Sequence, residues 1–126
     1  MNNYRYLNLN PDGLDTQDCT IRALSLFLDI SWDDAYWGVV TEGFLQKRMP
    51  STDTVWGRYL EKNNCYLTRV PSECPLCYTV KDFANDFNKG RYLLKVNEHV
   101  VTVVDGCYYD TWNSGDEIVL YYWKRR

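Results

Sequence analysis

The 126-residue chain contains one histidine, His99, and five cysteines, Cys19, Cys65, Cys74, Cys77 and Cys107. A single histidine excludes a metal site built from several imidazoles of this chain. It also leaves one side chain for imidazole acid–base chemistry. Among the thiols, Cys19 holds the position of greatest chemical consequence. Residues 19–29, CTIRALSLFLD, carry Ile21, Ala23, Leu24, Phe27 and Leu28 at helical spacing. Asp18 is the expected N-cap, which puts Cys19 in the first turn. There, unpaired N–H groups and the positive end of the helix dipole favour a thiolate over a thiol. The thiolate is the form in which cysteine attacks an acyl carbon, and the backbone N–H beside it can face the developing oxyanion. The alternative reading of Cys19 is a small buried core residue.

His99 opens the run HVVTVVDGCYYDTW. Asp105-Gly106 is a type I′ turn signal, so this run predicts two antiparallel strands joined by a two-residue loop. Val104 then pairs with Cys107, Val103 with Tyr108, Val101 with Asp110 and His99 with Trp112. Paired residues share a face, and faces alternate along a strand. Asp110 thus becomes a diagonal neighbour of His99, where Cβ atoms lie roughly 7–8 Å apart. A carboxylate there can orient the imidazole and stabilise its protonated form. Asn113 falls on the opposite face if the strand continues, which selects Asp110 as the partner. Trp112 shares the His99 face, as a shield against water or as plain core packing. The alternative reading of the pair is a hydrogen-bonded histidine on a sheet and a strand-end aspartate.

The elements that must hold these residues follow from the same patterning. The first ten residues suggest an arm or an edge strand, and Pro11-Asp12-Gly13 a turn. A second helix opens at Ser31, with Asp34 completing a weak capping box, and carries Trp32, Ala35, Tyr36 and Val39. A third helix is expected over 51–64, a strand over 65–70, a loop over 71–77 and a short helix over 79–88. Strands are expected over 91–96, 99–104, 107–112 and 118–123. Helices come first and a mostly antiparallel sheet follows, an α+β layout. No linker divides the chain, so residues 1–126 form a single domain.

Composition bounds the function. Hydrophobic residues are 45%, charged residues 25% and aromatic residues 16%, which fits a globular domain with a bulky core. The net charge is −3. A nucleic-acid partner is disfavoured, because such affinity leans on basic neutralisation of phosphates. No apolar run suggests a signal peptide or a membrane span, so no membrane partner and a cytoplasmic location with reduced thiols are expected.

Asp18-Cys19-Thr20-Ile21-Arg22-Ala23-Leu24 resembles the DCxxRA helix start of small papain-like proteins of phages and bacteria. It is also similar to the DGNC turn and aromatic-Arg-Ala helix of ovarian-tumour deubiquitinases. His99-Val100-Val101 through Val104-Asp105-Gly106 to Tyr109-Asp110-Thr111-Trp112 looks like the far end of the same phage and bacterial group. It is also similar to the His…Asp-Pro-Trp pattern of bacteriocin-processing, C39-like peptidases. Thr79-Val80-Lys81-Asp82-Phe83-Ala84 and Gly90-Arg91-Tyr92 fit that group too. The resemblance implies a papain-like fold, with helices that carry Cys19 packed on a sheet that carries His99 and Asp110. It implies a cysteine peptidase, or a related amide or isopeptide hydrolase, acting through a thioester without a cofactor on a peptide or protein substrate. For a phage protein the compartment would be the host cytoplasm. Papain-like enzymes usually place an oxyanion-hole Gln about six positions before the nucleophile, where this chain has Gly13. Ovarian-tumour enzymes place Asp three before it, where this chain has Thr16. Gln17, with the Cys19 backbone N–H, is the assigned donor.

Two other functions compete with hydrolysis. One is a non-catalytic binding or inhibitor module on the same fold. The other is a small zinc-binding interaction domain, resting on the Cys74-Pro75-Leu76-Cys77 CxxC with Cys65 and Cys107. A redox pair is the other use of a CxxC. A single CxxC is a weak zinc signal, so plain thiols are the expectation for these four. Arg22, one turn after Cys19, has a rim position as one reading and a solvated or ion-paired side chain as the expected one.

Overall fold

The computed structural model describes residues 2–70 and 77–126. The loop expected over 71–77, including Cys74 of the CxxC, lies outside the described residues except for Cys77. In chain order the elements are β1 (Tyr4–Tyr6), α1 (Cys19–Leu28), α2 (Trp32–Gln46), α3 (Asp53–Lys62), β2 (Cys65–Arg69), α4 (Val80–Asp86), β3 (Arg91–Val96), β4 (His99–Val104), β5 (Cys107–Asp110) and β6 (Tyr121–Arg125). Among the described residues this is a mixed α+β fold with four helices and one six-stranded sheet in the order β1-β5-β4-β3-β6-β2. The sheet is antiparallel except where the N-terminal strand β1 pairs parallel with β5 at one edge. No helix among the described residues is long and apolar enough to cross a membrane.

Alternation along the strands builds two cores. Leu93, Val100 and Trp123 face α1, α2 and α3, where Leu24, Phe27, Val39, Val55, Trp56 and Leu60 are buried. Tyr92, Leu94, Val96, Val101, Val103 and Tyr108 face α4, where Val80, Phe83 and Ala84 are buried. Each fully buried Leu or Phe contributes roughly 1.5–3 kcal/mol of transfer free energy. The apolar stripe of α1 (Ala23, Leu24, Phe27, Leu28) therefore fastens its axis to β4 and fixes where its N-terminus points.

Local signals explain the helix ends. The Ser31 hydroxyl accepts from Asp34 N at 3.0 Å, capping α2. Thr79 and Asp82 form a reciprocal capping box on α4. Helices α1 and α2 each stop at a residue in the left-handed conformation, Asp29 (φ 56°) and Lys47 (φ 59°). The β4–β5 turn has Asp105 at φ 48° and Gly106 at φ 82°, as a type I′ turn requires. The ladder pairs Val104 with Cys107, Val103 with Tyr108 and Thr102 with Tyr109, the expected register.

Three elements differ from the sequence expectation. Strand β5 stops at Asp110 rather than at 112, because the Asp110 carboxylate accepts from Thr111 N at 2.8 Å and from Ser114 Oγ at 2.8 Å, turning the chain away. Trp112 is therefore not a ladder partner of His99. The last strand is β6, Tyr121–Arg125, shifted toward the C-terminus of the expected 118–123. Its register is set by partners far away in sequence, Leu93 on β3 and Leu67 on β2, both opposite Trp123. Ile118 makes only an isolated bridge to Thr79. Asp18 sits at the N-cap position, but its φ of −96° and ψ of 28° are not those of a capping residue and its side chain makes no cap hydrogen bond.

Candidate active site

Cys19 is the first residue of α1, with no acidic side chain in that first turn to oppose a thiolate. His99 is the first residue of β4. It follows a tight turn from β3 in which Val96 pairs with His99 and Glu98 takes a left-handed φ of 54°. Asp110 is the last residue of β5. The N-terminus of a helix, the start of one strand and the end of its hairpin partner thus meet at one end of the sheet.

His99 Nε2 lies 2.5 Å from Asp110 Oδ2, a buried hydrogen bond. The remaining ring nitrogen, Nδ1, is not engaged by Asp110, and the Cys19 thiol is close enough for thiol and imidazole to shift each other's pKa. The Asp110 carboxylate is itself fixed by Ser114 Oγ, which donates to Oδ2, and by Thr111 N, which donates to Oδ1. The Trp112 indole lies against the imidazole, with ring centroids 4.9 Å apart. It is 46% exposed, so it covers His99 while standing at the surface.

Electrostatics couple the pair. Burial alone pushes the Cys19 thiol upward. The hydrogen bond and charge of His99 outweigh it, helped by the Val100 backbone and the Thr20 side chain, and hold the thiol below its ordinary 9.0. Burial alone pushes His99 downward. Hydrogen bonds and charge from Asp110 and Cys19 overcome that and push it up from 6.5 to about 9. A lowered thiol beside a raised imidazole shifts the pair toward thiolate–imidazolium.

The pair opens onto a cleft of about 600 Å³ whose walls include Gln17, Cys19, Ser51, His99 and Trp112. Gln17 is exposed and has a left-handed φ of 56°, an uncommon backbone state for a residue with a side chain. The structure therefore brings Cys19, His99, Asp110 and Gln17 to one place. Asn113 is elsewhere: its Oδ1 accepts from Tyr108 Oη at 2.6 Å and from Gly115 N at 3.1 Å, a turn-forming role.

Sequence reasoning missed Ser114. Trp112-Asn113-Ser114-Gly115 is turn-forming in composition, which could have signalled that the chain bends back onto Asp110. Arg22 is ion-paired, one of the readings the sequence offered, and it lines the cleft. Its side chain is 11% exposed, with Nε 2.9 Å from Asp18 Oδ1 and Nη1 3.1 Å from Thr111 Oγ1.

Cys65, Cys77 and Cys107 do not line this cleft. Cys65 and Cys107 are free, and burial pushes the Cys65 thiol upward. Cys77 is disulfide-bonded, which corrects the expectation of a plain thiol there. Among the described residues, no group of three or more His, Cys, Asp or Glu side chains is arranged to hold a metal ion. Comparison with protein-family models, with curated proteins and with solved structures finds no match to this chain.

Proposed function

We propose that the protein is a cysteine hydrolase of amide bonds with a papain-like arrangement. Cys19 is the nucleophile, His99 the general base and acid, and Asp110 the group that orients and charges the imidazole. One observation carries this reading. The chain's sole histidine shares a cleft wall with a helix-start cysteine, each shifting the other's pKa, and its Nε2 is hydrogen-bonded to a buried carboxylate 2.5 Å away.

The mechanism follows from that arrangement. The Cys19 thiolate attacks the acyl carbon, and the carbonyl electron pair moves to oxygen. The Cys19 backbone N–H and the Gln17 side chain stabilise that oxyanion. When the oxyanion collapses, the C–N bond breaks and the amine leaves with the proton from His99 Nδ1, giving a thioester. His99 then takes a proton from water, whose oxygen attacks the thioester carbon. The C–S bond breaks, releasing the acid and restoring the thiolate–imidazolium pair. Asp110 holds Nε2–H throughout, so the ring presents Nδ1 to sulfur. A cleft of about 600 Å³ is within the usual size of a small-ligand site, and it fits a few residues of a peptide or protein chain.

The test is selective labelling. Iodoacetamide at pH 6–7, followed by peptide mapping, should modify Cys19 faster than Cys65 and Cys107. An electrophilic peptidyl probe should attach to Cys19 and fail to attach in Cys19→Ala. Equal, slow labelling of the free thiols would overturn the proposal.

A further inference from the structure

Arg22 contacts the residues next to both ends of the proposed Cys19–His99–Asp110 chain. Its Nε donates to Asp18 Oδ1 at 2.9 Å, and Asp18 immediately precedes Cys19. Its Nη1 donates to Thr111 Oγ1 at 3.1 Å, and Thr111 immediately follows Asp110. The same Nη1 stands 3.9 Å from Asp110 Oδ1, a charge interaction rather than a hydrogen bond. Asp18 is pinned from two further directions, by Asn10 Nδ2 at 3.1 Å and Trp32 Nε1 at 2.8 Å. Two buried carboxylates, Asp18 and Asp110, therefore converge on one guanidinium.

We infer that Arg22 is a positioning residue that ties the helix start carrying Cys19 to the strand end carrying Asp110 and so fixes the reach between thiol and imidazole. The inference rests on the hydrolase reading above. A guanidinium suits the task because its donors are held in a rigid plane, so Asp18 and Thr111 are gripped at a set separation. A lysine offers one point charge, which can serve one of these acceptors but cannot bridge both at the same geometry. Nothing else described in the structure links Asp18 directly to the end of β5.

Three variants separate positioning from the alternatives. Arg22→Lys keeps the charge and loses the fork. Thr111→Val keeps both and loses one hydrogen bond. Arg22→Met removes the charge. The readouts are the NMR pH titration of His99, unambiguous because it is the only histidine, and the rate of iodoacetamide alkylation at Cys19 across pH. The other charged groups facing the pair are unchanged in all three variants: Lys95 on β3, Asp53 on α3, and Asp15, Glu98 and Glu117 in the connections.

Positioning predicts that Arg22→Lys and Thr111→Val each lower the His99 midpoint by about one unit and slow Cys19 alkylation near pH 7 roughly tenfold. A purely through-space charge effect predicts a raised His99 midpoint in Arg22→Met and no change in the other two, which would overturn the inference. So would folded variants with lower melting temperatures but an unmoved midpoint and unmoved Cys19 reactivity, the mark of a merely structural role. If Arg22→Met fails to fold, the two charge-retaining variants decide the matter. A wild-type His99 midpoint near 6.5, with Cys19 no more reactive than Cys65 and Cys107, would instead sink the hydrolase reading itself, and the inference with it.

Discussion

Replacing Asp110 by asparagine keeps the shape of the side chain and removes its charge, so it isolates what the carboxylate does to His99. Burial, the largest influence on the imidazole, pushes its pKa down. Asp110 and Cys19 reverse that and raise it from 6.5 to about 9. At about 1.4 kcal/mol per unit, the raised pKa corresponds to roughly 3 kcal/mol of folding stability. A group with a raised folded pKa contributes fully below its unfolded value and loses that contribution as pH rises through the folded value. The window therefore runs from 6.5 to about 9.

In Asp110→Asn, only Cys19, through its hydrogen-bond and charge contributions, still opposes burial, so the His99 midpoint should fall well below its wild-type value of about 9. The sole histidine gives one imidazole signal to follow by NMR. The variant should be less stable at pH 6.5 by up to roughly 3 kcal/mol in urea unfolding, or up to about 10 °C in melting temperature, Cys19 retaining its share of the shift. The gap should narrow by pH 10, leaving only the part due to rearranged hydrogen bonds at Ser114 and Thr111. Cys19 alkylation at pH 7 should slow in parallel, since the imidazolium that holds the thiolate is lost. A wild-type midpoint near 6.5, a midpoint unmoved by the substitution, or a stability gap equal at both pH values would refute the reasoning.

Other substitutions separate the parts of the site. Cys19→Ala should abolish peptidyl-probe labelling and lower the His99 midpoint by less than Asp110→Asn does, because the stronger Asp110 partner remains; the NMR titration checks both. Gln17→Ala should reduce hydrolysis of an activated acyl substrate by about 10²–10³ while iodoacetamide alkylation of Cys19, which forms no oxyanion, proceeds at the wild-type rate. Gly115→Ala should destabilise the fold by about 1–3 kcal/mol in urea melts, because its new Cβ would lie 2.3 Å from Tyr108 Oη and 2.7 Å from Lys81 Cγ. Since Gly115 follows Ser114, the same variant should also broaden or lower the His99 titration. A pH profile of Cys19 reactivity should rise below the ordinary thiol value, and hydrolysis should fall again through about 9 as His99 loses its proton.

What could be read from the sequence was what local physics decides. The apolar spacing of Ala23, Leu24, Phe27 and Leu28 placed α1 and hence Cys19 at its start. Asp105-Gly106 can close a tight hairpin only with both residues left-handed, and once that turn is assumed the register follows residue by residue. The register put Asp110 on the His99 face, and the observed 2.5 Å hydrogen bond is the outcome of that parity. The same parity set Asn113 aside only if the strand ran on; β5 stops at Asp110, and Asn113 is instead engaged in the turn that follows, with Tyr108 and Gly115.

What could not be read depends on contacts between distant parts of the chain. A three-residue strand such as β1 has no pattern of its own, and its parallel place beside β5 is set by pairing Tyr4 with Tyr108. The shift of β6 follows from its neighbours β2 and β3, which no local window contains. Arg22 shows the difficulty best. In sequence it is one charged residue on an amphipathic helix, for which exposure is the ordinary outcome. It is largely covered, because Thr111, 89 positions away, and Asp18, one turn back, offer acceptors that match its fork. The carboxylate at position 18 illustrates the same competition from the other side. Its N-cap position was legible, but three donors from Asn10, Arg22 and Trp32 claim the carboxylate that would otherwise cap the helix. The first turn of α1 thus keeps its free N–H groups beside Cys19, the feature that stabilises a thiolate and an oxyanion.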